Sequence, residues 1–527
     1  MSSHWFRSCF WSRLLCRAIV MAVGMGLFGS AAAASAPPPN ILYILADDMG
    51  IGDVSGLNAK CAWKTPSIDR LVREGRAFTD AHSASGVCSP SRYTLLTGRY
   101  SWRGKLKSSV LHGYDRALIE TNRMTVADYL RQNGYATAMV GKWHLGVDWV
   151  RTGTNVDAVD FSKPFRGGPV DHGFDSYFGI SASLDMPPYV YLVDDRSSTV
   201  PTSRIGDSPK PAMWRAGYIG SDFRHAEVQP RFLERSLDWL KQRKAAGDSK
   251  PFFLYLALAS PHTPIVPTAN FAGKTHTNPY GDFVTEVDSV VGRLLESLDQ
   301  LGLASNTLVV FTADNGCAPV VDLQALARFG HDPSAGFRGH KADLFEGGHR
   351  VPFVVRWPGR VPAGTRSAMT IGHLDLLATC ADLLGKQLPD HIGEDSVSFL
   401  PQLLRGDDAG PSRESLVHQS NNGSFAIRQG EWKLLLTPDS GGWSEPKPGS
   451  PESKTLPRFQ LYHLATDPAE TRNVADQHPD RVARMGARMK ALIENGRTTP
   501  GRRQPYVEAD PWPQTAWRTE FGTPSLK

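Results

Sequence analysis

Four apolar runs, each ending in a cluster of polar residues, constrain this chain more than any other feature. "NILYILADDMG" runs into Asp47 and Asp48, and "YATAMVGKWHLG" ends in Gly141, Lys142 and His144. "PFFLYLALASPHTP" stops near His262, and "NTLVVFTADNGC" ends in Asp314 and Asn315. Short, near-continuous apolar runs are expected of strands covered on both faces. Between them lie helical patterns such as "SIDRLVREGRAF", "TVADYLRQNG" and "TEVDSVVGRLLESLDQLG". This alternation predicts an α/β fold, with a large, mixed, mostly parallel sheet sandwiched by helices. Ligands of such sheets collect at the carboxyl ends of the strands. All four polar clusters fall at that end, so they can converge on one site.

Taken singly, each cluster has a plainer role. An aspartate after a strand is commonly a turn residue or cap, and a lone cysteine is usually a small buried hydrophobe. Lys142 alone reads as a solvated charge, and His144 or His262 alone as a hydrogen-bonded structural histidine. Their coincidence at equivalent strand ends argues otherwise. Adjacent carboxylates such as Asp47 and Asp48 repel unless a cation holds them. With Asp314 and Asn315 they offer only oxygen, which suits calcium or magnesium and favours calcium. Arg92, Lys142, Lys341 and the histidines would surround that ion. A carboxylate-bound cation ringed by positive side chains suits a tetrahedral oxyanion, with charge stabilised as an S–O or P–O bond breaks.

The stretch "GVCSPSRYTLLTGRYSWRG", Gly86 to Gly104, reads as a loop followed by a short helix. Ser89 is the expected N-cap, Pro90 the first helical residue and Gly98 the stop. Cys88 then sits at a helix N-terminus, where backbone N–H groups attract anions. Arg92 follows one turn later on the same face.

The 527 residues are 41% hydrophobic, enough for a large core and a second domain. Residues 1–36 read as a signal peptide, with Arg7, Arg13 and Arg17, then the apolar Ala18 to Phe28, then "GSAAAASA". The chain is therefore expected to be exported, periplasmic or secreted, without stable membrane insertion. The glycine and alanine content makes that stretch weak as a membrane span. Removing the three arginines of this segment lowers the formal net charge from +5 to +2, which argues against a nucleic-acid partner. Cys61, Cys88, Cys317 and Cys380 remain, too few for a disulfide framework. A catalytic domain is expected over 37–405, with a linker at Pro401 to Pro411. A C-terminal α+β subdomain over 412–527 is read from "SLVHQ", "SFAIRQGEWKLLL", "FQLYHLATDP" and the helical "HPDRVARMGARMKALIENG".

Cys88-Ser89-Pro90-Ser91-Arg92, followed by "LLTGRY", resembles the Cys-x-Pro-x-Arg signature of the type I sulfatases, a family of the alkaline-phosphatase-like superfamily. "NILYILADDMGIGD", "TPSIDRLVREGRAFTDAH", "GYATAMVGKWHLG", "SPHTP", "TADNG" and "FRGHKADLFEGGHRVPFVVRWPG" are similar to further family blocks, in family order. The resemblance spans roughly residues 38–500, and the chain resembles bacterial exported glycan sulfatases. It implies that a formylglycine-generating enzyme converts Cys88 to formylglycine. It implies one calcium ion held by Asp47, Asp48, Asp314, Asn315 and the modified Cys88. Arg92 then matches the residue holding the formylglycine hydrate, and Lys142 and Lys341 match the lysines on the sulfate oxygens. His144 matches the base that collapses the sulfated hemiacetal, and His262 the histidine on the leaving-group side.

The implied function is calcium-dependent hydrolysis of a sulfate ester on a sulfated carbohydrate, a galactose or N-acetylgalactosamine sulfate. Residues 179–195, "GISASLDMPPYVYLVDD", read as a rim loop. Asp185, His331, Trp102, Arg103 and His172 are candidates to line the sugar pocket. One alternative is a phosphonate or phosphodiester hydrolase of the same superfamily. A non-catalytic glycan-binding protein is another, and it would tolerate losses at Cys88, Arg92 or Asp314; none is seen.

Overall fold

The strand Asn40–Ala46 pairs in parallel with Phe252–Ala257 on one side and Thr307–Ala313 on the other. Ala136–Lys142 continues the parallel array beyond Phe252–Ala257, and Ser176–Ile180 follows it. These five neighbours are the parallel heart of a ten-stranded sheet in a computed structural model that describes residues 37–210, 213–409, 413–506 and 512–522. The edges are mixed: Phe353–Arg356 runs antiparallel to Thr307–Ala313, and Leu192–Val193 antiparallel to Ser176–Ile180. The signal peptide expected at 1–36 lies outside the described residues.

The continuous apolar runs have a direct cause. Ile41, Tyr43 and Leu45 point into one hydrophobic layer, shared with Tyr93, Leu95 and Leu130. Leu42, Ile44 and Ala46 point into the other, shared with Phe232, Phe283, Val287 and Val291. The helices Pro66–Glu74, Val228–Ala245 and Pro279–Gln300 cover this second face, while Cys88–Thr97, Val126–Gln132 and Leu376–Leu383 cover the first. With both faces dry, neither face of the strand is selected for polar residues.

Register aligns the strand ends. Ala46 pairs with Ala313, Leu45 with Ala257, Ala257 with Gly141, and Gly141 with Gly179. Residues just beyond these positions therefore emerge along one line. Gly141 is required where it stands: its φ is +121°, and a Cβ there would lie 1.8 Å from Ala257 O.

The second sheet is an antiparallel meander of Leu416–Gln419, Phe425–Gln429, Trp432–Leu435 and Gln460–His463. The helix Pro479–Glu494 packs Met485, Met489 and Leu492 against its Val417, Ile427 and Leu461. Both sheets belong to one compact unit, Pro39–Lys527. The expected linker opens within a helix, Leu400–Arg405, rather than on irregular chain, and its residues 410 and 411 lie outside the described residues. Cys61, Cys88, Cys317 and Cys380 are all free of disulfides. Among the described residues no helix is long and apolar enough to cross a membrane.

Candidate active site

Each parallel strand delivers its polar cluster to the same end of the sheet. Asp47 and Asp48 follow Ala46, and the Asp48 backbone adopts a φ of 60°. A positive φ is costly for a non-glycine residue and persists only where surroundings hold it. Here Asp48 N donates to Asp314 Oδ1 at 3.1 Å, and the Tyr280 hydroxyl oxygen lies 3.3 Å from Asp48 O.

Arg92 crosses the floor of the site. Its Nε and Nη2 donate to Asp314 Oδ2 at 2.9 and 2.7 Å, its Nη1 donates to Lys142 O at 3.0 Å, and Nη2 lies 3.4 Å from Asp47 Oδ1. Lys142 Nζ is 2.6 Å from Asp47 Oδ2, and Asn315 Nδ2 donates to Asp48 Oδ1 at 2.7 Å. Lys341 arrives from a separate loop and reaches Asp48 Oδ2. The three carboxylates are thus matched by three cations, all buried. Buried ion pairs offset their desolvation only with geometry this close.

Cys88 opens the helix Cys88–Thr97. The N-cap is Val87 rather than Ser89, so the helix begins two residues earlier than the sequence predicts. The Ser89 hydroxyl instead accepts from Leu111 N at 3.0 Å, drawing the 111 loop over the helix start. Gly98 ends the helix with a φ of 62°, as expected. Burial pushes the Cys88 thiol up to about 12, against the opposing pull of Lys142 and Lys341. For Asp47 burial acts upward, but Lys142, His262 and Arg92 outweigh it and hold the carboxyl below its usual value.

His144 Nε2 donates to Leu111 O at 2.7 Å, which leaves Nδ1 as a buried lone pair without a hydrogen-bond partner. Burial, then Lys142 and Arg92, push its pKa well below the ordinary value, so the ring is a neutral base. His262 reaches Asp48 from the segment after Phe252–Ala257. Its Nδ1 contacts Thr263 O at 2.6 Å, its Nε2 lies 3.5 Å from Asp48 Oδ2, and its Nδ1 lies 3.9 Å from Asp185 Oδ1.

The donor set fits a hard cation. Asp47 Oδ1 and Asn315 Oδ1 are buried acceptors with no hydrogen-bond partner. Ligand atoms of Asp47, Asp48, Cys88 and His262 lie within 4.8 Å of one another. Oxygens from three carboxylates and one carboxamide are calcium or magnesium chemistry. A divalent ion would turn an internally balanced cluster into one with excess positive charge, which draws in an anionic ester.

The structure brings Asp47, Asp48, Cys88, Arg92, Lys142, His144, His262, Asp314, Asn315 and Lys341 together. Of the sugar-pocket candidates it brings only Asp185, which ion-pairs with Arg215 and leaves Oδ1 without a hydrogen-bond partner. The others are corrected. Trp102 is sealed among Tyr100, Phe425 and Trp512. Arg103 forms a buried two-pronged pair with Asp395 at 2.8 and 2.9 Å. His331 is 2% exposed, bonded to Asp53 Oδ1 at 2.8 Å and packed on Trp63. His172 is buried and stacked on Trp143. Sequence reasoning missed Asp53 and Tyr280, which brace the Asp48 turn. Tyr280 donates to Asp53 Oδ2 at 2.5 Å, and Gly50 N donates to the same oxygen at 2.8 Å. It also missed Ser181 and Ser183, whose buried hydroxyls lack partners just past the end of Ser176–Ile180. Asp53 closes the block "NILYILADDMGIGD", and Ser181 and Ser183 lie in the expected rim loop, but nothing in those stretches singles them out.

The family model described as Sulfatase matches residues 39–386. An N-acetylgalactosamine-6-O-sulfatase of Bacteroides thetaiotaomicron is 34% identical over 496 residues, covering 86% of this chain and 93% of that protein. Arylsulfatase A of Bos taurus is 33% identical, covering 86% of each. A solved Bacteroides thetaiotaomicron structure, described under the metabolism of multiple glycosaminoglycans, superposes with a TM-score of 0.75 at 32% identity. It covers 87% of this chain and 99% of that one.

Proposed function

This chain belongs to the sulfatase family and is a sulfuric ester hydrolase, and we propose that it removes 6-linked sulfate from N-acetylgalactosamine or galactose residues of an extracytoplasmic glycan. The observation that carries the chemistry is the oxygen cluster of Asp47, Asp48, Asp314 and Asn315 beside Cys88, ringed by Arg92, Lys142 and Lys341. The sugar class rests on the similarity to the N-acetylgalactosamine-6-O-sulfatase named above. Action outside the cytoplasm is supported by the pattern of residues 1–36.

Asp47, Asp48, Asp314 and Asn315 would hold calcium, which neutralises developing charge on the ester, and a formylglycine made from Cys88 would supply the nucleophilic hydroxyl. The remaining work belongs to side chains already in position. Lys142 and Lys341 can bind sulfate oxygens, each shifting from the carboxylate it now neutralises once a cation shares that carboxylate's charge. Arg92, held by Asp314 and the Lys142 carbonyl, would hold the formylglycine hydrate at residue 88. His144 offers a buried ring nitrogen, Nδ1, without a hydrogen-bond partner, and serves as base there. His262, between Asp48 and Asp185, is placed to give a proton to the departing sugar oxygen.

The test is a desulfation screen of 6-sulfated N-acetylgalactosamine and galactose oligosaccharides beside 4-sulfated isomers, aryl sulfates and phosphodiesters. Release of sulfate from the 6-sulfated sugars well above the other arms is expected. A preference for phosphodiesters, or for another sulfate position, contradicts the reading.

A further inference from the structure

We infer that His82, His349 and His418 form a second metal site, of transition-metal type, which pins the segment leading to Cys88 against the C-terminal sheet. It lies apart from the oxygen cluster and plays no part in the proposed chemistry. His82 ends the short strand Ala81–His82, His349 ends the helix Glu346–His349, and His418 lies in the strand Leu416–Gln419. All three are fully buried, and one ring nitrogen from each lies within 4.8 Å of the other two.

The outer nitrogen of each ring faces an oxygen. Asp80 Oδ1 is 2.8 Å from His82 Nε2, Leu344 O is 3.0 Å from His349 Nε2, and Ser83 O is 3.2 Å from His418 Nδ1. Metal-binding histidines are held in this way, with one N–H donated to a carboxylate or carbonyl and the other nitrogen turned to the ion. The inner nitrogens are then His82 Nδ1, His349 Nδ1 and His418 Nε2. The first two are only 3.0 Å apart, and the third has no hydrogen-bond partner. A proton shared between the two Nδ1 atoms satisfies two rings and leaves His418 Nε2 orphaned. An ion satisfies all three.

The surroundings are charge-balanced without the rings. Asp80, Glu346 and Glu470 face Arg350, Arg428 and Lys433. Lys433 Nζ and Arg428 Nη1 also approach the outer nitrogens of His349 and His82, at 3.0 and 3.2 Å. Burial keeps all three rings neutral, so their lone pairs are available at neutral pH. The His349 and His418 rings stack at 3.6 Å between centroids, so binding requires His418 to turn its ring, against the single long contact to Ser83 O. Three imidazoles select zinc, cobalt, nickel or copper over calcium.

The site has a structural consequence. Ser83 N donates to His349 O at 2.8 Å, and Gly86 N and Ser85 Oγ donate to Gln419 O at 3.0 and 2.8 Å. The chain from His82 to Cys88 is thus laid between the same two segments that carry the other two ligands.

Tag-free protein, stripped with chelator and returned to calcium, is offered one equivalent of Zn2+ or Co2+, and bound metals are counted by elemental analysis. One transition-metal ion per chain is expected, with visible d–d absorption for Co2+ and a higher melting temperature with Zn2+ than with chelator. His418→Gln and His82→Gln should lose the ion while calcium content is unchanged, and Asp80→Asn should weaken its affinity about 10–100-fold. Wild-type protein that binds no transition metal overturns the inference. So does uptake that is equal in wild type and His418→Gln, which would put the ion at Cys88 and His262 instead. The wild-type measurement stands by itself if a variant fails to fold.

Discussion

Lys341 Nζ lies 2.7 Å from Asp48 Oδ2, although 293 residues separate the two in the chain. Burial acts to lower the Lys341 pKa, but Asp48, with Cys88 and Asp47, outweighs it, so the ammonium is held charged. In the proposed chemistry this fixed positive group contacts the ester's oxygens. Lys341→Ala is therefore expected to lower kcat/KM about 10²–10³-fold, on small aryl sulfates and glycans alike. Steady-state kinetics on both substrates checks this, and a loss confined to glycans would assign Lys341 to sugar recognition.

Asp314 joins the oxygen cluster to Arg92 through Oδ2 and to the Asp48 backbone through Oδ1. Asp314→Ala should release calcium and abolish nearly all turnover, and it also leaves Arg92 without its main partner. Elemental analysis and activity are read together. Zinc at full occupancy of the oxygen cluster with undiminished activity would contradict the ligand argument.

Asp185 is the one sugar-pocket candidate at the site, with Oδ1 free of hydrogen bonds and 3.9 Å from His262 Nδ1. Asp185→Ala should cut kcat/KM on the glycan about tenfold to several-hundredfold, the value of one or two charge-assisted hydrogen bonds, and spare a small aryl sulfate. Equal losses on both would show that Asp185 orients His262 instead. His331→Ala is the contrast. It strips a partner from the buried Asp53, so it should cost about 1–3 kcal/mol of stability without changing preference between the two substrates, as urea unfolding and paired kinetics would read.

His373 is 1% exposed, with Nε2 on Thr312 Oγ1 at 3.0 Å, and burial pushes its pKa from 6.5 down to about 3. Between those values the unfolded chain holds a proton on this ring that the folded chain refuses. Its contribution to stability is full above 6.5 and is lost as pH falls, by up to about 1.4 kcal/mol per pH unit. His373→Gln should flatten that loss, seen as a smaller difference between urea midpoints at about pH 5 and about pH 7. Identical slopes in both proteins would contradict the assignment.

Much of this was legible in the chain itself. The strands carrying Asp47, Lys142, His262 and Asp314 were readable because dry layers on both sides leave an unbroken apolar run. The polar residues just past each run could be read as one site because ligands of parallel sheets gather at that end. The sugar-pocket candidates failed for a common reason. Whether Arg103 is a surface charge or a buried strut depends on Asp395, 292 residues away, and His331 likewise depends on Asp53, 278 residues away. Nothing local encodes such partners. Ser89 misled because its hydroxyl serves Leu111 of a later loop rather than its own helix. The gathering of His82, His349 and His418 was equally out of reach, since each sits alone in its own stretch of sequence.

Mass spectrometry of the peptide from Ala77 to Arg92, cut from active enzyme with trypsin, tests the central claim most directly. That peptide carries Cys88 as its sole cysteine. The account predicts an aldehyde or its hydrate in place of the thiol, in a fraction that rises and falls with specific activity across preparations. A fully active preparation in which residue 88 is unmodified cysteine throughout would contradict it.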